Sequence, residues 1–282
     1  MAPFPITDLH AHLIPGVDDG ARDAAEARAA LEVLAEEGVA HVVATPHFHA
    51  SALPDGPGRE RRLGELDMGW RLLEKARQEV GEGAPRLSRG TEVLLDAPDP
   101  DLSDPRLRLA GGPAVLVEFP FLRIPLYGAR QLEALASEGW TPVVAHVERY
   151  AGLERALSQV AVWRGGGAIL QVNAASLLGG YGPEARRRAW HLLGRGWVGL
   201  LASDWHARGE GPRLAETVEM LLERARPAGG EDGGGGGRRE EVRRALLLLL
   251  EENPRRVLEG RRALPVPALA PRPAWRRWLG RG

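Results

Sequence analysis

The stretch "FPITDLHAHLIPGVDDGARDAAEARAALEVLAEEG", residues 4–38, contains one strand pattern followed by one helix pattern. Its first part, Phe4–His12, is a short and mainly apolar run with the length of a typical strand. Residues 21–38 then place apolar side chains every three to four positions and end at Gly38, as amphipathic helices do. A strand followed by a helix is the repeating unit of α/β proteins, so this stretch predicts a parallel sheet covered by helices.

The same unit recurs along the rest of the chain. Further strand patterns are "AHVVATPHF" (40–48), "RLSRGTEVLLD" (86–96), "AVLVEFP" (114–120), "TPVVAHVE" (141–148), "AILQVNA" (168–174) and "WVGLLASD" (197–204). Each is usually followed by a helix pattern or a long loop, which gives about seven strands in all. The length of 282 residues fits one large α/β barrel-type domain or two small domains.

The composition excludes several classes of function. The net charge is -1, so no overall basic field attracts the chain to nucleic acid or to a membrane surface. The chain has no cysteine, which excludes disulfides, thiolate metal ligands and cysteine nucleophiles. Its first residues lack the pattern of a signal peptide, and "ALLLLLEEN" (245–253) is too short an apolar run to span a bilayer. We therefore expect a soluble, cytoplasmic protein that binds no nucleic acid and inserts into no membrane.

Polar side chains follow the predicted strands at the points where these end. They are five histidines and four carboxylates: His10, His12, one of Asp18 and Asp19, His47, Glu92, Glu118, His146, Asp204 and His206. In a parallel barrel the carboxyl ends of the strands meet on one face, where the active sites of such barrels lie. Four carboxylates in one cleft would repel one another without cations, and nitrogen and oxygen donors without sulfur suit zinc, manganese or iron. The pattern therefore predicts a site for two or three divalent metal ions.

Two pairs carry most of this prediction. Residues two apart on a strand point to the same side, so His10 and His12 are expected to face one site, and Asp204 and His206 repeat the spacing after the last strand. By contrast, His41 begins a strand and His191 lies in a helix pattern, and we interpret both as structural histidines. His49 is interpreted as solvated.

Seven of these segments also resemble a known superfamily in their order. "DLHAHLIPGVDDGARD", "VVATPHF", "GTEVLLD", "VLVEFPF", "PVVAHVERY", "LQVNAASLLG" and "LLASDWH" are similar to the motifs of the PHP (polymerase and histidinol phosphatase) superfamily. The resemblance covers residues 6 to 255, and "PGVDDGA" is typical of its bacterial manganese-dependent tyrosine phosphatases of capsule and exopolysaccharide operons. It implies a distorted (β/α)7 TIM-like barrel with three divalent metal ions at the carboxyl ends of the strands, manganese first, with iron and zinc as alternatives.

The resemblance also implies roles for individual residues. His10, His12, Glu92 and Asp204 would hold one ion, Glu92 would bridge to a second held by Glu118 and His146, and Asp19, His47 and His206 would hold the third. Asp18 is kept as an alternative to Asp19. The phosphate-binding arginines fall on Arg149 and on Arg208, the second a less clear match, and His206 is a candidate for assisting the leaving group. The chain departs from the family pattern at Phe48, Val147 and Trp205, none of which removes a ligand.

The resemblance therefore implies a phosphoric monoester hydrolase, in which a hydroxide bridging the metals would attack phosphorus. The expected substrate is a tyrosine-phosphorylated protein, such as a bacterial tyrosine kinase or a regulator of polysaccharide synthesis. One alternative is another phosphoesterase of the superfamily, such as a histidinol-phosphate phosphatase. A second alternative is a non-catalytic module that binds phosphotyrosine.

The last part of the chain carries two further expectations. "EDGGGGGRR" (231–239) is interpreted as a flexible surface loop between helices at 214–226 and 240–252. We expect the phosphatase domain to cover residues 1–258 and a tail rich in proline, arginine and tryptophan to cover 259–282. The tail is interpreted as a segment packed over the end of the barrel, with a docking tail as the alternative.

Overall fold

Parallel strands form two sheets in the computed structural model, which describes residues 3–54, 56–209, 211–225 and 235–269. The strands are β1 (Ile6–Ala11), β2 (Val39–Ala44), β3 (His47–His49), β4 (Arg86–Arg89), β5 (Glu92–Leu94), β6 (Ala114–Glu118), β7 (Thr141–Val144), β8 (Ile169–Asn173) and β9 (Val198–Ala202). One sheet has the order β1-β2-β4, and the other has the order β3-β5-β6-β7-β8-β9. Every pairing is parallel, as the alternation of strand and helix patterns predicted.

Two interruptions explain why nine strands arise from seven predicted segments. β2 and β3 are separated by residues 45–46, and β4 and β5 by residues 90–91. At the other edge, the segment after β9 meets β1: the amide of Asp204 donates to His10 O at 2.9 Å, and the amide of His12 donates to Trp205 O at 2.9 Å. The α/β class with parallel strands is therefore confirmed, while the strands described here are paired in two sheets and not in one closed ladder.

Helices cover the outer surface of the sheets. They are α1 (Ala24–Glu36), α2 (Gly56–Val80), α3 (Gly128–Ser137), α4 (Leu157–Gly165), α5 (Ala174–Leu178), α6 (Gly182–Gly194), α7 (Leu214–Arg224), α8 (Gly235–Leu247) and α9 (Asn253–Leu258). The first shows how the sequence produces them. Asp23 caps α1 by accepting from the amides of Ala25 and Glu26, and Ala27, Ala30, Leu31 and Leu34 form its buried face.

The glycine-rich segment differs from the prediction. α8 begins at Gly235, so residues 235–239 are helical and not loop, whereas residues 231–234 lie outside the described part of the chain. Glycine is a poor helix former, but helices in proteins are stabilised mainly by packing of their apolar face. Val242, Ala245 and Leu246 provide that packing, and a π-helical turn at Leu248–Glu252 continues it to α9. Among the described residues, none of the helices has the length and apolar character that crossing a membrane requires.

The beginning of the predicted tail is packed against the domain. Asn253 donates to Leu264 O at 3.0 Å and accepts from the amide of Leu264 at 2.7 Å, while the amide of Leu269 donates to Leu193 O at 3.0 Å. Asn253 also donates to Gly199 O near the start of β9, so this segment lies at the amino ends of the strands. Residues 270–282, which include the rest of the predicted tail, lie outside the described residues.

Candidate metal centre

The carboxyl ends of the strands bring the predicted ligands together around Glu92. One carboxylate oxygen of this fully buried side chain, Oε2, lies 3.3 Å from His10 Nε2, 3.4 Å from His12 Nε2 and 3.0 Å from His47 Nδ1. Its second oxygen, Oε1, lies 2.8 Å from His146 Nε2. Four imidazoles from the ends of three different strand regions therefore surround one carboxylate.

Three overlapping groups of donor atoms result. They are His12, Asp19, His47 and His206; His10, His12 and Glu92; and His47, Glu92 and Glu118, each with its donor atoms within 4.8 Å of one another. The exposed Asp19 carboxylate contacts two imidazoles, with Oδ1 3.3 Å from Nε2 of both His47 and His206. Groups that share members in this way suit more than one cation.

Asp204 connects the last strand to the same cluster. Its Oδ1 lies 3.2 Å from His10 Nε2, whereas its Oδ2 accepts from Asn173 Nδ2 at 2.6 Å and from Arg149 at 3.0 Å. The backbone of Asp204 has φ 51° and that of His146 has φ 32°, in the left-handed region that such residues rarely adopt. Two of the seven non-glycine residues with positive φ in the described chain thus belong to the cluster, and such backbone persists only where the surrounding contacts hold it.

The donor set fits divalent cations. Glu92 Oε2 and Asp204 Oδ1 are buried and have no hydrogen-bond partner among the described residues. A buried oxygen without a partner costs about 1–3 kcal/mol, and more when it is charged, unless another group such as a cation satisfies it. Because both oxygens face imidazole nitrogens at 3.0–3.5 Å, a cation between them would relieve both deficits.

The pKa values of the cluster residues reflect the close approach of several carboxylates and imidazoles. Burial lowers the pKa of the His10 imidazole, but the carboxylates of Glu92 and Asp204 outweigh burial and raise that pKa to about 9. Burial raises the pKa of Glu92, but His10 and His146 outweigh it and hold that pKa well below its ordinary value. Burial and the nearby Glu92 carboxylate both raise the pKa of Glu118. Without cations, the carboxylates thus favour a protonated imidazole at His10.

The paired aspartates occupy different positions. Asp18 is largely buried, and its Oδ2 lies 2.8 Å from His12 Nδ1 and accepts from the amide of His47 at 3.1 Å. Its Oδ1 accepts from the amide of Gly20 at 3.0 Å. Asp18 therefore holds His12 from behind, which leaves His12 Nε2 to face the cluster, and Asp19 is the member of the pair whose carboxylate reaches the imidazoles.

A second supporting residue is Gln171, which the sequence interpretation missed. Its Oε1 lies 3.2 Å from His10 Nδ1 and accepts from the amide of His146 at 2.8 Å, and its Nε2 donates to Asn173 at 2.8 Å. The signal that would have identified it is a polar side chain at position 171, two residues before Asn173 in the otherwise apolar strand "AILQVNA". Its contacts orient two of the cluster histidines.

Two other residues, Asp8 and Tyr181, were also missed. Asp8 accepts from Ser203 Oγ at 2.5 Å and from the amide of Ser203 at 3.1 Å, and burial raises its pKa to about 6. Asp8 thus ties β1 to the segment that carries Asp204. Tyr181, just before α6, lies with its hydroxyl 3.3 Å from Asp204 Oδ2 and with its ring under the guanidinium of Arg149, 4.5 Å from the ring centre. Asp8 lies two residues before His10 on the same strand, so the spacing that pointed to His10 and His12 applied to it too, whereas no local pattern in the sequence marks Tyr181.

The two predicted arginines differ in position. Arg149 is 27% exposed and pairs with Asp204 across the cluster. Arg208 is exposed, and its charge acts on Glu26 of α1; no contact of its side chain with the cluster is found among the described residues.

Histidines outside the cluster have other partners. His49 is exposed and lies 2.9 Å from Asp96, and the neighbouring Phe48 is part of the core. His41 lies 2.8 Å from Ser88 Oγ, at the beginning of its strand. The ring of His191, on α6, accepts from Arg195 at 2.8 Å.

Gly20 is predicted to be essential for the position of His12. A Cβ atom at Gly20 would lie 1.9 Å from His12 O and 2.5 Å from His12 Cβ, both far inside contact distance. We expect Gly20→Ala to displace His12 and to lower both metal content and thermal stability. Gly64→Ala is the control, because a Cβ at Gly64 of α2 would meet no atom within 4 Å, and alanine there should stabilise the helix by about 0.5–1 kcal/mol. Metal analysis and thermal melts of both variants test this, and a Gly20→Ala protein with normal metal content would contradict it.

Comparisons with known proteins identify the family of the chain. The family model for capsular polysaccharide synthesis proteins CpsB/CapC matches residues 6–228. The chain belongs to the CpsB/CapC family. The matched range includes every residue of the cluster described above.

Individual CpsB/CapC relatives are distant in sequence. The chain is 27% identical over 202 residues to the tyrosine-protein phosphatase YwqE of Bacillus subtilis, a match that covers 71% of this chain and 76% of the relative. It is 28% identical over 213 residues to the tyrosine-protein phosphatase CpsB of Streptococcus pneumoniae, covering 71% and 82%. A solved structure from work on YwqE and CpsB, described as unique metal-dependent tyrosine phosphatases, superposes with a TM-score of 0.69 at 21% identity and covers 94% of this chain and 99% of that one. The last likeness shows that the fold is shared.

Proposed function

We propose that this CpsB/CapC protein is a metal-dependent protein-tyrosine phosphatase that hydrolyses phosphate monoesters. The observation that carries the proposal is the ring of imidazoles around the buried Glu92 carboxylate, within the range matched by the family. The tyrosine phosphatase names of its relatives support the choice of substrate. The substrate we propose is a tyrosine-phosphorylated bacterial kinase or a regulator of polysaccharide synthesis.

The proposed centre holds three divalent ions, with manganese as the first choice. We assign His10, His12, Glu92 and Asp204 to one ion, Glu92, Glu118 and His146 to a second, and Asp19, His47 and His206 to a third. The three overlapping groups of donor atoms support this number. When bound, such ions neutralise the charge of a phosphate dianion and lower the pKa of water, so that hydroxide forms near neutral pH.

Arg149 is the proposed phosphate ligand of the protein itself. Its guanidinium reaches Asp204 at 3.0 Å and is still 27% exposed, so it lies between the buried cluster and the solvent. A planar guanidinium binds two oxygens of a phosphate at once, which suits charge that develops during phosphoryl transfer. Arg208 is kept as a second proposed phosphate ligand. This role is supported only by its position in the sequence, four residues after Asp204.

His206 is better suited to hold a metal than to donate a proton. Its Nδ1 lies 2.9 Å from the backbone oxygen of Asp204, which places the proton on Nδ1 and leaves the lone pair of Nε2 toward Asp19. Burial and the neighbouring His12 lower its pKa, which favours the neutral ring. The leaving group is a phenolate of pKa about 10, which needs less help from a proton donor than an alkoxide does.

We also propose that the seven strand regions form a distorted (β/α)7 barrel. The hydrogen bonds between β1 and the segment after β9 support it, because they connect the first and last strands.

Removal of metal is expected to abolish activity. Protein treated with a chelator should lose hydrolysis of p-nitrophenyl phosphate and of a phosphotyrosine peptide, and added manganese should restore both. Metal analysis of the purified protein beside these assays identifies the ion. Hydrolysis that persists in a metal-free sample would exclude the proposed mechanism. If histidinol phosphate is turned over faster than the peptide, the alternative phosphoesterase is correct, and if neither is hydrolysed, the protein is a binding module.

A further inference from the structure

A basic groove lies along α6, outside the metal cluster. It has a volume of about 1000 Å³ and is lined by Leu178, Gly179, Pro183, Arg186, Arg187, Trp190, His191, Gly194, Arg195 and Arg224. These lining residues include four arginines and no carboxylate. Because the whole chain has a net charge of -1, this groove is a local concentration of positive charge.

The charge of the groove is only partly neutralised. Arg187 donates to Glu154 at 2.8 Å, but the partner of Arg195 is the imidazole of His191, whose ring carries no negative charge. Arg186 is exposed and forms no ion pair with any side chain that the structure describes. The guanidinium of Arg224 lies over the ring of Trp190, 4.6 Å from its centre, and forms one wall. Guanidinium groups held in this way are suited to bind carboxylates in pairs of hydrogen bonds.

One end of the groove is linked to the proposed active site through Tyr181. Gly179 and Pro183 line the end of the groove at the start of α6. Between them in sequence lies Tyr181, whose hydroxyl contacts Asp204. Gly194 and Arg195 line the opposite end, so the groove follows the full length of α6. A helix of 13 residues is about 20 Å long, which about six residues of extended peptide can span.

We infer that this groove binds an acidic segment of the substrate protein, within about six residues of the phosphotyrosine. The inference rests on the proposed phosphatase function and adds a substrate class to it: phosphotyrosine next to aspartate or glutamate residues. The charge of the groove selects this occupant, and Tyr181, which contacts Asp204 and lies in sequence between the groove residues Gly179 and Pro183, places one end of the groove on the side of the cluster. Contacts of this kind favour association and selectivity, and they contribute little to the chemical step.

Three phosphotyrosine peptides of equal length test the inference. One has four acidic residues on the amino side of the phosphotyrosine, one has them on the carboxyl side, and one has asparagine and glutamine at all these positions. At low salt we expect kcat/KM for one of the acidic peptides to exceed that for the neutral peptide at least about fivefold, mainly through KM, and the difference to shrink in high salt.

Charge reversal in the groove provides the decisive comparison. The double variant Arg186→Glu and Arg195→Glu should lose this preference and keep normal hydrolysis of p-nitrophenyl phosphate, which is too small to reach the groove. Arg71→Glu is the matched control, because Arg71 is exposed on α2 and has no ion pair among the described side chains. It should keep the preference. Equal rates for all three peptides, or a preference that survives in the double variant, would overturn the inference while leaving the phosphatase function intact. Absence of hydrolysis of every substrate would overturn both.

Discussion

Glu92→Gln is expected to lower phosphatase activity at least about a hundredfold, even at saturating metal. The carboxylate of Glu92 lies within 3.4 Å of three imidazoles through one oxygen and 2.8 Å from a fourth through the other. Glutamine has nearly the same shape but no charge, and its amide nitrogen cannot bind a cation. The loss should therefore appear as reduced metal content together with reduced kcat/KM for p-nitrophenyl phosphate.

A thermal measurement separates this effect from a loss of folding. Addition of manganese should raise the melting temperature of the wild-type protein, because a ligand that binds only the folded state stabilises it. The increase should be much smaller in Glu92→Gln. Glu74→Gln, at an exposed position of α2, makes the same chemical change away from the cluster and should behave as wild type. Full activity of Glu92→Gln would show that the cluster is not the active site.

Arg149→Ala is expected to cost about 2–4 kcal/mol of transition-state stabilisation, a loss of some tens to several hundredfold in kcat/KM. The guanidinium lies 3.0 Å from Asp204 Oδ2 and over the ring of Tyr181, and the proposed function assigns it to the phosphate. Arg149→Lys keeps the charge but loses the planar fork, so it should also impair turnover. A crystal soaked with phosphate should place the anion between the metals and Arg149.

The competing role of Arg149 is to hold Asp204 in place. The ion pair between Arg149 and Asp204, at 3.0 Å, supports this role. The metal content of the variants distinguishes it from phosphate binding. If Arg149 binds phosphate, both variants should contain normal amounts of metal. If the activity of Arg149→Ala falls only in proportion to its metal content, or stays near normal, Arg149 does not bind the transferred phosphate.

The sequence was sufficient for features that depend on local periodicity. Apolar runs that alternate with amphipathic helices predicted the parallel α/β fold, because the period of the side chains reflects which face is buried. The spacing of His10 and His12, and of Asp204 and His206, predicted that their side chains face one site. The glycine-rich segment shows where local propensity fails, because α8 begins within it at Gly235 and is stabilised by packing farther along the chain.

By itself, then, the sequence determined the α/β class and the set of side chains available to bind metal, since both follow from residue type and spacing along single strands. Only the tertiary structure decided how these side chains divide into those that face the cluster and those that support it. Asp18 and Asp19 are adjacent, yet one holds His12 from behind and the other faces His47 and His206. Gln171 contacts His10 across 161 positions of the chain, and Tyr181 reaches Asp204 from the start of a helix. Contacts between such distant positions depend on how strands and helices pack, and no pattern within a single element specifies them.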